Sequence, residues 1–487
     1  MKFEISSGLS AALLLLAGCC GVVARDWEVK TFELPYVFDY GVTNTTTFRW
    51  RDAYLSADAY TYSQAVAGPL SALAACVYGY EQGMDEHTLT ELGFNAAGLY
   101  RRYGKDLDYK DPVWGRDQVG FTLATKRVWL DGRLRDVLLI LVRGTFGRTE
   151  WLSNMNMCNT WGRNPSADPS TLPDLHEGFA RAADAVQAAV EAYVATHAVD
   201  LATAKVLVTG HSRGAAVANI LGARLDDGVF LKGVVPQNAF IYTFATPNSI
   251  IGPHVDCTAP RYGNIFNILN PEDLVPLVPL GVWQARRYGT DLVLKNFDAL
   301  SLYDVCFDPA YNAMKDNFKA MTGYDWWHTP LGTNSTSIVP AVLGAVAPTV
   351  ADLYRVPEDQ LAGGNDTSIH KVLEMLIYRC MDDEAKVPDE NVRTASLGAD
   401  VQNLTKAYSA AHDGSRPAEP EQDGYFFTPD GHDFTRQPGF FDIPWRLACM
   451  HATQTYIGWM KAADEQGPAA VYKNWRPARS WLELLLP

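Results

Sequence analysis

K-V-L-V-T-G-H-S-R-G-A-A-V-A-N, residues Lys205–Asn219, is the stretch whose reading decides the fold. Val206, Leu207, Val208 and Thr209 form an apolar, β-branched run, which predicts a buried strand. The run breaks at Gly210, and a helix-forming segment with Ala215, Ala216 and Ala218 begins after Ser212. G-H-S-R-G therefore sits between a strand and a helix, the context in which G-x-S-x-G presents a nucleophile on a sharp elbow. Gly210 and Gly214 lack Cβ atoms, so strand and helix can pass close to the turn. The turn would hold Ser212 in a tight conformation with its hydroxyl exposed. The helix N-terminus would aim N–H groups and a partial positive charge at the same place. The plainer alternative is an ordinary strand-to-helix turn with Ser212 as the N-cap.

Working outward, Phe121–Leu130 and Leu134–Val142 read as strands joined by the turn signal Asp131-Gly132. His176-Glu177-Gly178-Phe179 opens an amphipathic helix with Phe179, Ala182, Ala183, Val186, Val190, Tyr193 and Val194 on one face. After the elbow, Phe240–Phe244 and Ile265–Leu269 are further strands, stopped by Pro247 and Pro271. This rhythm predicts an α/β fold, a mostly parallel sheet covered on both faces. Chemistry in such sheets gathers at the carboxyl ends of the strands. Arg143-Gly144-Thr145, the elbow, Ala245–Pro247 and Asn270–Asp273 all fall there.

The flanks are less regular. Residues 25–111 read as a lead-in that packs on the core without chemistry of its own, with helix candidates in Ala53–Tyr80 and Leu89–Arg102. Residues 112–290 are the expected core. From 291 to 424 the rhythm disappears, and 425–487 returns to aromatic sequence with a helix from about Leu447 to Ala463.

The chain has 487 residues, 47% hydrophobic and 20% charged, enough to bury a large core. A net charge of −15 argues against a nucleic-acid partner, because phosphate binding needs a cationic surface. No zinc-type Cys/His spacing and no phosphate-cradling glycine loop occurs, so neither metal nor cofactor is expected. At the N-terminus Leu9–Ala17 is a short apolar run behind Lys2, too short to span a bilayer, and residues 1–24 read as a signal peptide. Leu16-Ala17-Gly18-Cys19 resembles the lipobox of bacterial lipoproteins, in which the Cys becomes lipid-modified. Plain secretion with cleavage near Ala24 is the alternative. Cys76, Cys158, Cys257, Cys306, Cys380 and Cys449 permit disulfides in an exported chain, but their wide spacing indicates no pairing.

A serine hydroxyl needs a base, and the base needs an orienting carboxylate. On an α/β sheet the chain order is Ser, then Asp or Glu, then His. Asp273 follows the strand Ile265–Leu269 directly and is the leading acid; Glu272 and the earlier Asp256 are rivals. Among His328, His370, His412, His432 and His451, the base should lie late, where the chain returns to the sheet. His451 fits, with His432 second.

Together these motifs resemble the class 3 (fungal-type) lipase family. The strand end is Arg143-Gly144-Thr145, followed by Trp151-Leu152-Ser153-Asn154. The helix start is His176–Phe179, and the elbow is Gly210–Gly214. The later motifs are Phe244–Pro247, Asn270–Pro276 and the pair His451 and Tyr456. The resemblance implies an α/β-hydrolase fold with Ser212 as nucleophile, His451 as base and Asp273 as its orienter. It implies an oxyanion hole from Thr145 and the Arg213 N–H, and a lid within Phe146–Asn156. His176 and His211 are motif members with structural packing roles. The implied function is ester hydrolysis through an acyl-serine, with acylglycerols as substrates. Short-chain esters or phospholipids are the alternative on the same scaffold. A catalytically inactive, surface-anchored binding protein is the alternative outside enzymes. The expected location is outside the cell or on the cell envelope, held to a membrane through Cys19. The chain departs from the family in the long insertion at 291–424, between Asp273 and His451. If it caps the site, Trp326, Trp327 and Ile338–Leu353 would line an acyl channel; otherwise it is a remote subdomain.

Overall fold

A computed structural model describes residues 28–36, 39–95, 100–102, 119–145, 150, 154, 175–250, 255–271, 273, 275–277, 285–295, 307–323, 326 and 449–475. The expected signal peptide, Cys19, Trp327, Ile338–Leu353, Glu272, and the histidines at 328, 370, 412 and 432 lie outside these residues.

Seven strands form the central sheet, in spatial order identical to chain order. They are β3 (Tyr100–Arg102), β4 (Phe121–Leu130), β5 (Arg133–Val142), β6 (Lys205–His211), β7 (Ala239–Phe244), β8 (Ile265–Leu269) and β9 (Thr290–Val293). β3, β4 and β5 pair antiparallel, and β5 through β9 run parallel. The β4–β5 hairpin turns at Asp131 (φ 50°) and Gly132 (φ 75°), the two left-handed residues that a tight two-residue hairpin requires. A separate two-stranded sheet, β1 (Glu28–Tyr36) with β2 (Asp39–Trp50), precedes the main one.

Parallel strands need helical crossovers, and the pleat sends alternate side chains to opposite faces. Leu138, Ile140, Val206, Val208 and Ile241 point to one face, under α3 (Glu177–His197) and α4 (Arg213–Asp226). All seven residues of the expected α3 stripe are buried there, each large apolar side chain contributing about 1.5–3 kcal/mol. Leu139, Leu141, Leu207, Phe240 and Tyr242 point to the other face. That face is covered by α1 (Gln64–Cys76), α5 (Pro309–Thr322) and α6 (Thr453–Gln466). The sheet, its crossovers and the elbow at the end of β6 constitute an α/β-hydrolase fold.

Two flank expectations change. The helix expected over 89–102 is α2 (Met84–Glu91), which stops at Gly93 (φ 81°); Tyr100–Arg102 is the edge strand β3. The break at residue 291 is too early, because β9 crosses it as the last sheet strand. α5 is likewise part of the core, packed on α6 with Tyr311, Met314 and Phe318 buried. α1 lies on the sheet, and Tyr62 touches Tyr242, Phe266 and Tyr472.

Candidate active site

The elbow is closed by backbone contacts that only glycine permits. A Cβ on Gly214 would lie 2.3 Å from the Val142 carbonyl oxygen, and one on Gly210 would lie 2.5 Å from Gly214 backbone atoms. Between them Ser212 adopts φ 58°, ψ −129°, a strained conformation for a residue with a side chain. Its N–H is held by the Phe244 carbonyl at 2.9 Å. Its hydroxyl does not cap α4, so the plainer N-cap reading of Ser212 fails.

The hydroxyl meets His451 instead. Ser212 Oγ lies 3.0 Å from His451 Nε2, and His451 Nδ1 lies 2.8 Å from Asp273 Oδ2. Because a carboxylate only accepts, the proton on neutral His451 sits on Nδ1, and the Nε2 lone pair faces the hydroxyl. Asp273 is buried in the loop after β8. Its Oδ1 accepts from the Val275 N–H and its Oδ2 also accepts from the Tyr456 phenol. The Tyr456 phenol in turn accepts from the Asn270 N–H. Burial, then the neighbouring Asp273 charge, pushes Tyr456 well above the ordinary phenol range, so it remains a donor. Asp256, the rival acid, is exposed and hydrogen-bonds Thr258 within its own turn.

Thr145 ends the strand beside the elbow. Its Oγ1 accepts from Asn154 Nδ2 at 2.8 Å, which leaves the Thr145 hydroxyl proton for another acceptor. The Arg213 N–H opens α4 next to Ser212. The Arg213 guanidinium is buried and shares Glu150 with Arg143, at 3.7 and 2.6 Å. Glu150 is thus tied to both Arg143 at the strand end and Arg213 at the elbow by buried charge. His176 caps α3 through Nδ1, and its Nε2 donates to the Asn154 carbonyl. Burial pushes His176 down to about 3, so it is neutral there. His211 is also buried and held well below the ordinary imidazole range. Neither faces Ser212 with a free nitrogen among the described contacts.

Trp326, which would line an acyl channel if the insertion capped the site, belongs to the core. Its ring packs edge-on against Tyr311 and its indole N–H donates to Thr455 Oγ1. Three contributors escaped the sequence reading: Glu150, Asn270 and the bonding role of Tyr456. Asn270 and Tyr456 lie inside motifs already noted. Among the described residues no three His, Cys, Asp or Glu side chains are grouped to hold a metal ion, and no helix is long and apolar enough to cross a membrane.

Comparisons with known proteins bear on the middle of the chain. A secreted mono- and diacylglycerol lipase 1 from Fusarium solani is 28% identical over 153 residues, 31% of this chain and 42% of that protein. The chain therefore spans about two fifths of the length of this curated relative. Similar solved structures include a Rhizomucor miehei triacylglyceride lipase at 20% identity, covering 41% of this chain and 68% of that one with a TM-score of 0.28. A mono- and diacylglycerol lipase from Aspergillus oryzae is 18% identical, covering 51% and 80% with a TM-score of 0.30. The family described as Lipase (class 3) matches residues 139–283, a segment that takes in the Ser212 elbow, Thr145 and Asp273 and leaves His451 to be supplied from the far end of the chain.

Proposed function

We propose that the protein is a serine hydrolase of carboxylic esters, a lipase acting on acylglycerols. The observation that carries the reading is the unbroken line from Ser212 Oγ through His451 to Asp273, at 3.0 and 2.8 Å. In the proposed reaction Ser212 Oγ attacks the ester carbonyl while His451 Nε2 takes its proton. Asp273 holds the ring in the required tautomer and offsets the imidazolium charge. The N–H of Arg213 and the hydroxyl and N–H of Thr145 receive the oxyanion, a contribution worth about 10²–10³ in rate per donor. His451 then returns the proton to the departing alcohol, leaving an acyl-Ser212. Water, deprotonated by the same nitrogen, attacks the acyl carbonyl; His451 passes the proton to Ser212 and the fatty acid leaves.

The acylglycerol part of the reading is supported by the class 3 lipase match and the Fusarium solani relative. Attachment to a membrane through a lipidated Cys19 belongs to the same proposal, supported by the lipobox-like Leu16–Cys19. Two stably acylated chains would suffice for a firm anchor. Hydrolysis of a graded series of acyl esters, with and without a lipid–water interface, tests the substrate class. Ser212→Ala should abolish both hydrolysis and fluorophosphonate labelling; retained labelling overturns the assignment. Preference for soluble short-chain esters would replace lipase by esterase.

A further inference from the structure

Three successive carbonyls at the start of the His451 segment each accept a hydrogen bond from a side chain. Thr455 Oγ1 holds the Cys449 oxygen, Asn270 Nδ2 holds the Met450 oxygen at 2.9 Å, and His211 Nε2 holds the His451 oxygen at 2.9 Å. The His211 bond has a defined polarity. A carbonyl only accepts, so Nε2 must carry the proton. Burial keeps the ring neutral, so Nδ1 carries a lone pair. The Tyr78 phenol lies 3.1 Å from Nδ1 and donates to it. Tyr78 reaches this place because residue 144 is glycine: a Cβ there would lie 1.7 Å from the phenol oxygen.

We propose that His211 is a positioning residue for the reaction, which holds the His451 main chain at the height that puts Nε2 against Ser212, with Tyr78 fixing the tautomer His211 needs for that task. His211 is uniquely placed for this, being the residue before the nucleophile. One side chain then ties the base's backbone to the nucleophile's own elbow, and the two rings lie 4.7 Å apart. If the proton moved to Nδ1, the Nε2 lone pair would face the carbonyl lone pairs and push the segment away. Tyr78 prevents that by occupying Nδ1 as a donor. The N-terminal segment, expected to carry no chemistry, thereby sets the position of the base from the other end of the chain. Tyr78 is 133 residues from His211, and His211 is 240 residues from His451.

The inference rests on the proposed hydrolase reading, and one set of variants separates the two. Steady-state ester hydrolysis would be measured for wild type, Ser212→Ala, His211→Ala, His211→Gln and Tyr78→Phe, with thermal unfolding of each. His211→Ala should lower kcat about tenfold or more with KM within twofold, the scale of one misplaced hydrogen bond. His211→Gln keeps an amide donor for the His451 carbonyl and an acceptor for Tyr78, and should recover most of that kcat. Tyr78→Phe should lower kcat about threefold to tenfold with KM unchanged. A kcat within twofold of wild type in His211→Ala overturns the proposal. So does a loss that His211→Gln shares in full and that follows the fall in unfolding temperature. Full hydrolysis by Ser212→Ala would overturn the hydrolase reading, and this inference with it.

Discussion

The Tyr456 phenol donates to Asp273 Oδ2 at 2.8 Å, the same oxygen that His451 Nδ1 engages. A carboxylate oxygen held by two donors loses its freedom to turn away from either. Tyr456 therefore orients the acid as the acid orients the base. Tyr456→Phe removes one charge-assisted bond and also leaves the buried Asn270 N–H without its acceptor. The expected cost is about 1.5–3 kcal/mol of stability, with kcat reduced and KM little changed. Urea unfolding and steady-state kinetics on the same variant check both.

Gly214→Ala should be among the most damaging one-carbon changes in the protein. The added Cβ would meet the Val142 and Arg143 main chain at 2.3–2.7 Å, and neither partner is a side chain that can swing away. Overpacking of this kind costs about 1–3 kcal/mol or more. The strand end carrying Thr145 would shift with it. The expected outcome is a lower unfolding temperature and fluorophosphonate labelling slowed by at least an order of magnitude.

Glu150 is fully buried between two guanidiniums, so neutralising it takes a buried carboxylate charge away from both. Glu150→Gln should destabilise by about 3–5 kcal/mol. Double substitution with Arg143→Met should cost less than the two single changes summed, a coupling that a double-mutant cycle in urea measures.

Acid stability follows from the buried histidines. His176 stays neutral in the fold down to about pH 3, while the unfolded chain binds its proton below about 6.5. The unfolded state therefore holds more protons between those limits. Stability is full above about 6.5 and declines as pH falls toward 3, by up to about 1.4 kcal/mol per pH unit. His211, depressed mainly by burial, acts with the same sign. Asp226 opposes them. Burial raises it to about 7, so its contribution is present below about 4 and is lost as pH rises through 7. Urea titrations from pH 4.5 to 7 should show a shallower acid loss in His176→Gln and a steeper one in Asp226→Asn than in wild type.

The elbow was readable because its demands are local: a β-branched strand, two glycines where main chains touch, and a helix of small residues. Asp273 was readable from its place after a strand. His451 was reachable by its order along the chain and by Tyr456 five residues on, since nothing else around Cys449–Thr453 announces a base. β9 was missed because four residues with exposed Thr290 and half-buried Asp291 carry no alternation. α5 was missed because its flanks lack the strand–helix rhythm that marks the rest of the core. Tyr78 could not be found at all, because it meets Gly144 and His211 only in the folded molecule.

The bonds that close the molecule join its two ends. The Tyr62 and Tyr472 phenols meet at 2.6 Å across 410 residues, and Gln64 bonds Asp464 across 400. α1 can lie on the sheet as soon as the strands are made, but these bonds wait for residues 464 and 472. At 5–20 residues per second a ribosome needs roughly 20–80 s to bridge that gap. Throughout that interval the α1 face toward α6 lacks these partners. The Ser212–His451 contact likewise spans 239 residues, so a ribosome stalled before residue 449 releases a chain with a complete elbow and no histidine to meet it.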